Sequence, residues 1–473
     1  MLDILTTTLL DFPWWFAVFL IMLAGFVGRV LLPKLLERRS QRKAETIAAA
    51  ERTIIEQARE RLQAESEAAS RGLNHDLLTP FLEWYYGTSV WRTDGQAFPA
   101  VVFPLPTLEK VTDAADVLRP WDLGKARATV EADWAPFDQE FVGLRKRAGR
   151  EINNRQTFCL RSIFFNGERP VVESSLIGYY EDCLATCDAL EWELLLAFAH
   201  HPPRSSAPAE FTRFSECHLP HRQAARSVCE AKGVSPYLAG AGRSAAIAVS
   251  TLTLAKKPDG SFVTFLGHRS AKTAAHPRLI HVAPSGMFQP IWDWQHPTDA
   301  MASPNYGQEW NLRNHILREV SEELFGREVD KDLAAKPPET PDVIFGYPEI
   351  QYLNSLLDSG GANIFVTGVL VNLLNLRPEV TTVLVIYDPK WYECHSKGTE
   401  GLPLFGRNWE FLKDEELKAQ DLPRFWHSPI RSSTGVDLSN ELFSRIGGIT
   451  PKHFVVPGAI ALLLGLRAVT TID

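Results

Sequence analysis

The chain lacks the short signatures of several large enzyme classes. No Gly-x-Ser-x-Gly elbow occurs, so a serine-hydrolase reading has no support. No P-loop is present, and Gly240-Ala-Gly242 is only a lone Gly-x-Gly. Basic charge is not in excess: 49 Lys and Arg face 57 Asp and Glu, a net charge of -8, which argues against a general nucleic-acid binder. A disulfide framework is missing too. Cys159, Cys183, Cys187, Cys217, Cys229 and Cys394 are scattered without paired spacing, which fits a reducing compartment. The first twelve residues carry only Asp3 and Asp11 as charges and show no small-residue cleavage site, so a signal peptide is disfavoured. Ser40 to Arg71 contains neither proline nor glycine.

What is present begins with an apolar run from Phe12 to Gly28, bracketed by Asp11 and Arg29, with Trp14 and Trp15 near one end. That pattern predicts a single transmembrane helix over residues 1–35. Arg29, Lys34, Arg38, Arg39, Arg42 and Lys43 follow it and predict an amino terminus outside and a cytoplasmic bulk. Residues 36–72, rich in Ala, Glu, Gln and Arg, predict a helical stalk. Ile47, Ile54, Ile55, Ala58 and Leu62 mark a thin stripe, open to reading as a solvated spacer or as a weak coiled coil between copies.

Residues 73–225 form an α+β middle region. Phe98 to Pro104 reads as a short strand, and Asp113 to Leu118 and Leu123 to Phe137 read as helices. Arg155 to Phe165 and Val171 to Ile177 read as strands joined across Asn166-Gly167, and Leu176 to His200 as a long helix. Cys183, Cys187, Cys217, His218, His221 and Cys229 offer metal-ligand chemistry, but without close paired spacing, and buried thiols with surface histidines explain them more simply.

From residue 226 the pattern changes. Ala245 to Leu254 reads as a strand, Lys257-Pro-Asp-Gly260 as a turn, and Ser261 to His268 as the returning strand. Asn363 to Val371 and Thr381 to Asp388 predict two more strands, with helices over Trp409 to Leu417 and Val456 to Leu464. The most informative stretch is Arg318-Glu-Val-Ser-Glu-Glu-Leu-Phe-Gly326, preceded by Leu312, Ile316 and Leu317. On a helix, Glu319, Glu322 and Glu323 share one face. Three like charges there need a cation over them, and hard oxygen ligands at this spacing suit Mg²⁺ or Mn²⁺ bound to a phosphate chain. The plain alternative is a solvated acidic face. His268 and Arg269, at a strand end, are candidates to face a ligand phosphate.

The Arg318 to Gly326 stretch resembles the second half of the Nudix box, Arg-Glu-apolar-x-Glu-Glu followed by glycine. The resemblance implies that Glu319, Glu322 and Glu323 are metal-binding acids and that Arg318 braces the loop and helix. The match is not complete. Phe325 stands where the closing glycine belongs, Trp310 where the upstream glutamate belongs (Glu309 is its neighbour), and Pro304 where the box should open. Pro284-Ser285-Gly286 reads as the glycine loop, with a Trp- and Pro-rich insertion from Ile291 to Gln308 before the helix. The implied fold for 226–473 is a Nudix-like α/β/α sandwich.

A Nudix-like domain behind a membrane anchor further resembles the SMODS-associated Nudix effectors of bacterial anti-phage systems. That resemblance implies a cyclic oligonucleotide ligand, assembly of several copies, disruption of the inner membrane lipid, and no catalysis. Trp292, Trp294 and Tyr306 in the insertion are then candidates to stack on bases. No DNA or RNA polymer is expected as a partner. The alternative is an Mg²⁺-dependent hydrolase of nucleoside diphosphate derivatives, using Glu319, Glu322 and Glu323 to orient water.

Overall fold

The computed structural model describes residues 14–28, 32–93, 95–111, 118–120, 138–150, 152, 154–270, 278–290, 311–327, 342–399, 401–406, 426–427 and 453–469. Two compact units result, Met1–Leu62 and Gln63–Asp473.

The first unit holds α1, Trp14–Phe26, and most of α2, Leu32–Leu73. α1 is apolar throughout, but its 13 residues extend only about 20 Å at ~1.5 Å per residue, against a bilayer core of about 30 Å. α2 has the length, at 42 residues, but carries charge in nearly every turn. Among the described residues no helix is long and apolar enough to cross a membrane. The expected transmembrane anchor over 1–35 is therefore corrected, and the inner-membrane placement and sidedness built on it go with it. Among the described residues the apolar run forms a regular α-helix over Trp14–Phe26, followed by a π-type turn at Val27 and Gly28, and the next helix, from Leu32, is charged.

The second unit is a mixed α+β body. It opens with α3 (Leu78–Tyr86), β1 (Trp91–Thr93), β2 (Gln96–Phe98), β3 (Ala100–Lys110) and β4 (Leu118–Pro120), then α4 (Gln139–Arg147). Asp138 caps α4 by accepting the Phe141 N–H at 3.0 Å. β5 (Gln156–Asn166) and β6 (Arg169–Tyr179) form a hairpin whose two-residue turn places Gly167 at φ +64°, a conformation that favours glycine. The helix expected from Leu176 starts later, at Tyr180. Its first turn is followed by a π-type turn, Leu184–Asp188, and then by α5, Ala189–His200. β6 holds residues 176–179 as strand because they pair with β5. α6 (Pro208–His218) and α7 (Pro220–Ala231) follow, each with proline in its first turn. Leu118, expected in a helix, lies in β4, and the rest of the 113–137 expectation falls outside the described residues.

Next come β7 (Ala248–Lys256), β8 (Phe262–Thr264), β9 (Leu266–His268), β10 (Ile280–Val282) and β11 (Ser285–Met287). α8 (Leu312–Phe325), α9 (Pro348–Ser359), β12 (Ala362–Asn372), β13 (Arg377–Ile386), α10 (Pro389–Lys397), β14 (Trp426–His427) and α11 (Val456–Val469) complete the unit. The helix expected over Trp409 to Leu417 lies outside the described residues.

The main sheet has the order β14-β8-β7-β13-β12-β3, with β11 also alongside β7. β7 and β13 run parallel, and the other pairs are antiparallel. β3, from the middle region of the sequence, is thus an edge strand of the sheet built by the C-terminal half. Alternation divides the sheet into two faces. Val380, Leu384 and Ile386 pack with Ile316, Leu317 and Val320 of α8 and Leu353 of α9. Val383 and Val385 pack with Ile460, Leu463 and Leu464 of α11. In β12 the α8 side takes Ile364 and Val366, then Val369 and Val371. A bulge between Val366 and Gly368 reverses the parity, so both ends of the strand keep an apolar residue in each core.

Two buried arginines hold the β12–β13 turn. Arg222 of α7 donates to the carbonyls of Leu373, Leu374 and Leu190 and to the Tyr86 hydroxyl. Arg243 donates to the carbonyls of Pro236 and Leu376. A guanidinium suits this task because it offers five donors in a fixed plane.

Candidate functional site

The site grows out of α8. Asn311 caps the helix by accepting the Asn314 N–H at 3.0 Å, and Gly326 closes it at φ +68°. Leu312, Ile316, Leu317, Val320 and Leu324 dock the helix on the sheet. Glu319 and Glu323 are brought together beside β11, while Glu322 stands 3.9 Å from Arg318 Nε.

Glu323 Oε2 accepts the Ser285 N–H at 2.9 Å, so the carboxylate caps the outer edge of β11. The Glu319 carboxyl lies against the next residue, Gly286. A Cβ there would fall 2.4 Å from Glu319 Cδ and Oε2, so only glycine permits the approach. Arg318 supplies the positive charge. Its Nη2 donates to Glu319 Oε1 at 2.9 Å, its Nη1 donates to the Gln289 carbonyl at 2.8 Å, and its Nε stands 3.9 Å from Glu322 Oε1. His315 completes the group. Burial, and then the Arg318 charge, hold its pKa well below the ordinary value, so it stays neutral and its Nδ1 accepts from Arg318 Nη2 at 3.1 Å.

The residues as arranged do not fit a resident divalent cation. Glu319 spends an oxygen on Arg318, Glu323 spends one on a backbone N–H, and the guanidinium stands among the acids where a metal would go. Among the described residues no cluster of three or more His, Cys, Asp or Glu side chains is arranged to hold a metal ion. The same holds for the scattered cysteines and histidines of the middle region. Cys183, Cys187 and Cys229 are buried, Cys217 is exposed, and His221 instead faces Glu193 at 3.3 Å.

His268 is buried at the end of β9, opposite Ile280 of β10, in a separate two-stranded sheet. Arg269 follows, with its N–H on the Leu279 carbonyl and its own carbonyl accepting from Arg278. Its charge acts on Glu379 and Tyr180. Trp292, Trp294 and Tyr306, with the whole insertion Ile291 to Gln308, lie outside the described residues.

Two residues escaped sequence reasoning. His315 stands three and four residues before Arg318 and Glu319, a helical spacing that marks a shared face. Glu379 interrupts an apolar strand, and burial pushes its carboxyl up to about 7. The chain matches no model of a known protein family, and comparison with curated proteins finds no match.

Proposed function

We propose that Gln63–Asp473 is a nucleotide-recognising module that binds its ligand without hydrolysing it. One observation carries this reading: Arg318 stands against Glu319 and within 3.9 Å of Glu322, in the place a cation would take beside them. Nudix-type hydrolysis needs those acids free for Mg²⁺ and an attacking water. Here Glu319 and Glu323 join α8 to β11, which favours recognition over reaction. The resemblance of Arg318 to Gly326 supports a nucleotide as the ligand class; a cyclic oligonucleotide messenger within that class comes from the wider effector resemblance. An effector role in antiviral defence, with assembly of copies as the output, belongs to the wider effector resemblance, of which the Nudix-like half is kept here and the membrane anchor is not. Binding drives assembly only where the ligand favours the assembled state.

The test is a nucleotide panel, cyclic and linear, offered to the purified chain with Mg²⁺. Calorimetric binding with no release of nucleoside monophosphate is the expected result. Robust monophosphate release would replace this reading with the hydrolase one. The common face of the three acids favours that second reading, and it requires Glu322→Gln with Glu323→Gln to abolish turnover.

A further inference from the structure

β11 and the residues just after it meet α8 in step. The Phe288 N–H donates to the Ile247 carbonyl at 2.8 Å, so extended pairing continues past Met287. Gly286 and Phe288, two apart on that strand, turn to one face. Glu319 and His315, four apart on α8, share a face as well. Two strand residues span about 6.8 Å and four helical residues about 6 Å, so the contacts fall in register. Gly286 admits the Glu319 carboxyl. The Phe288 ring meets the His315 ring edge-on, with centroids 5.0 Å apart. The Gln289 carbonyl then accepts Arg318 Nη1 at 2.8 Å. One short stretch of backbone thus fixes His315, Arg318 and Glu319 together.

His315 has little freedom in this setting. It is 4 % exposed, and Phe288 beside it is fully buried against Phe158. Its Nδ1 accepts from Arg318 Nη2 at 3.1 Å, the same nitrogen that donates to Glu319 Oε1 at 2.9 Å. With Nη1 on Gln289, the planar guanidinium is held at three points and turns its Nε towards Glu322 at 3.9 Å. The Glu322 side chain is 24 % exposed, so an incoming cation would meet the group there.

We propose that His315 is a positioning residue that locks Arg318 across the acids of α8, and that this lock bars a divalent cation from them. An arginine pinned at one point could swing aside. One pinned at three must break buried hydrogen bonds to do so. Its charge persists at every working pH, so a second cation beside it is repelled. The inference goes beyond the nucleotide reading and does not need it. The acids that resemble a metal site are closed by residues of their own helix.

The experiment is electron paramagnetic resonance of Mn²⁺ added to the full chain without nucleotide, where the signal of the free ion falls on binding. The wild-type chain is expected to leave that signal unchanged up to about 1 mM, the weak end of protein oxygen sites. His315→Leu keeps an apolar side chain against Phe288 but offers Arg318 no acceptor. It is expected to bind Mn²⁺ at least about tenfold tighter, the scale on which residues behind a metal site act. His315→Gln, whose amide oxygen accepts, is expected to restore exclusion. Adding Glu322→Gln to His315→Leu is expected to abolish the gain, which places the ion on the acids. Mn²⁺ binding by the wild-type chain that Glu322→Gln removes would overturn the lock, and this arm needs no change at His315. Equal Mn²⁺ affinity in folded His315→Leu and wild type would overturn the role of His315.

Discussion

Arg318 and Glu319 are consecutive on α8, yet their side chains meet: Arg318 Nη2 donates to Glu319 Oε1 at 2.9 Å, with both side chains largely buried. Neighbours on a helix diverge by about 100°. Here the Gln289 carbonyl and His315 draw the guanidinium across the acidic face. The acidic stripe thereby carries its own counter-ion.

Arg318→Met should cost about 3–5 kcal/mol of folding stability, because it strands the Glu319 carboxylate in a buried place. The double variant with Glu319→Gln should lose clearly less than the sum of the two single variants. Urea denaturation of the four proteins measures this. Additive losses would mean that the two groups do not depend on each other.

Gly286→Ala should destabilise by about 1–3 kcal/mol, since the new methyl meets the Glu319 carboxyl at 2.4 Å and that carboxyl must give up its buried place beside Arg318. Nucleotide binding should fall with it. A variant with wild-type melting and binding would show that this approach is not needed.

Glu379 gives a pH dependence of defined sign. Its carboxyl is raised from 4.5 to about 7 in the folded chain, so the folded state holds a proton that the unfolded state releases in that window. Its contribution to stability is full below pH 4.5 and is lost as pH rises through about 7, by about 3 kcal/mol in all. Glu379→Gln should flatten this part of the stability profile and make the chain more stable at pH 8. Parallel profiles for the two proteins would contradict it.

Arg222→Leu should be among the most damaging single changes, at about 4 kcal/mol or more. Three carbonyls and the Tyr86 hydroxyl lose their donor together in a buried place. Faster amide exchange across residues 372–377 would localise the loss to the β12–β13 turn. An exposed control, Arg204→Leu, should change stability little.

Much of the local structure was legible in the sequence because period and punctuation are local. The apolar spacing of Leu312, Ile316 and Leu317 with the stop at Gly326 marked α8, and the β-branched runs marked β7, β12 and β13. The anchor expectation failed for an equally local reason. Hydropathy counts apolar residues from Phe12 to Gly28, but not how many of them share one regular α-helix, and among the described residues that helix is Trp14–Phe26. The start of the helix after β6 was misplaced because strand pairing with β5 outweighed helical propensity at residues 176–179.

By itself, then, the sequence determined that three acids share a helical face, that glycine is available next to a serine at 285–286, and that no common enzyme signature is present. Only the tertiary structure decided what those acids do. Burial beside β11 turns Arg318 onto Glu319 and hands Glu323 to a backbone N–H. Register between strands distant in the chain sets Glu379 beside Ser250. Side-chain period is a property of neighbours along the chain, whereas charge pairing and strand register depend on which distant segments the core brings together.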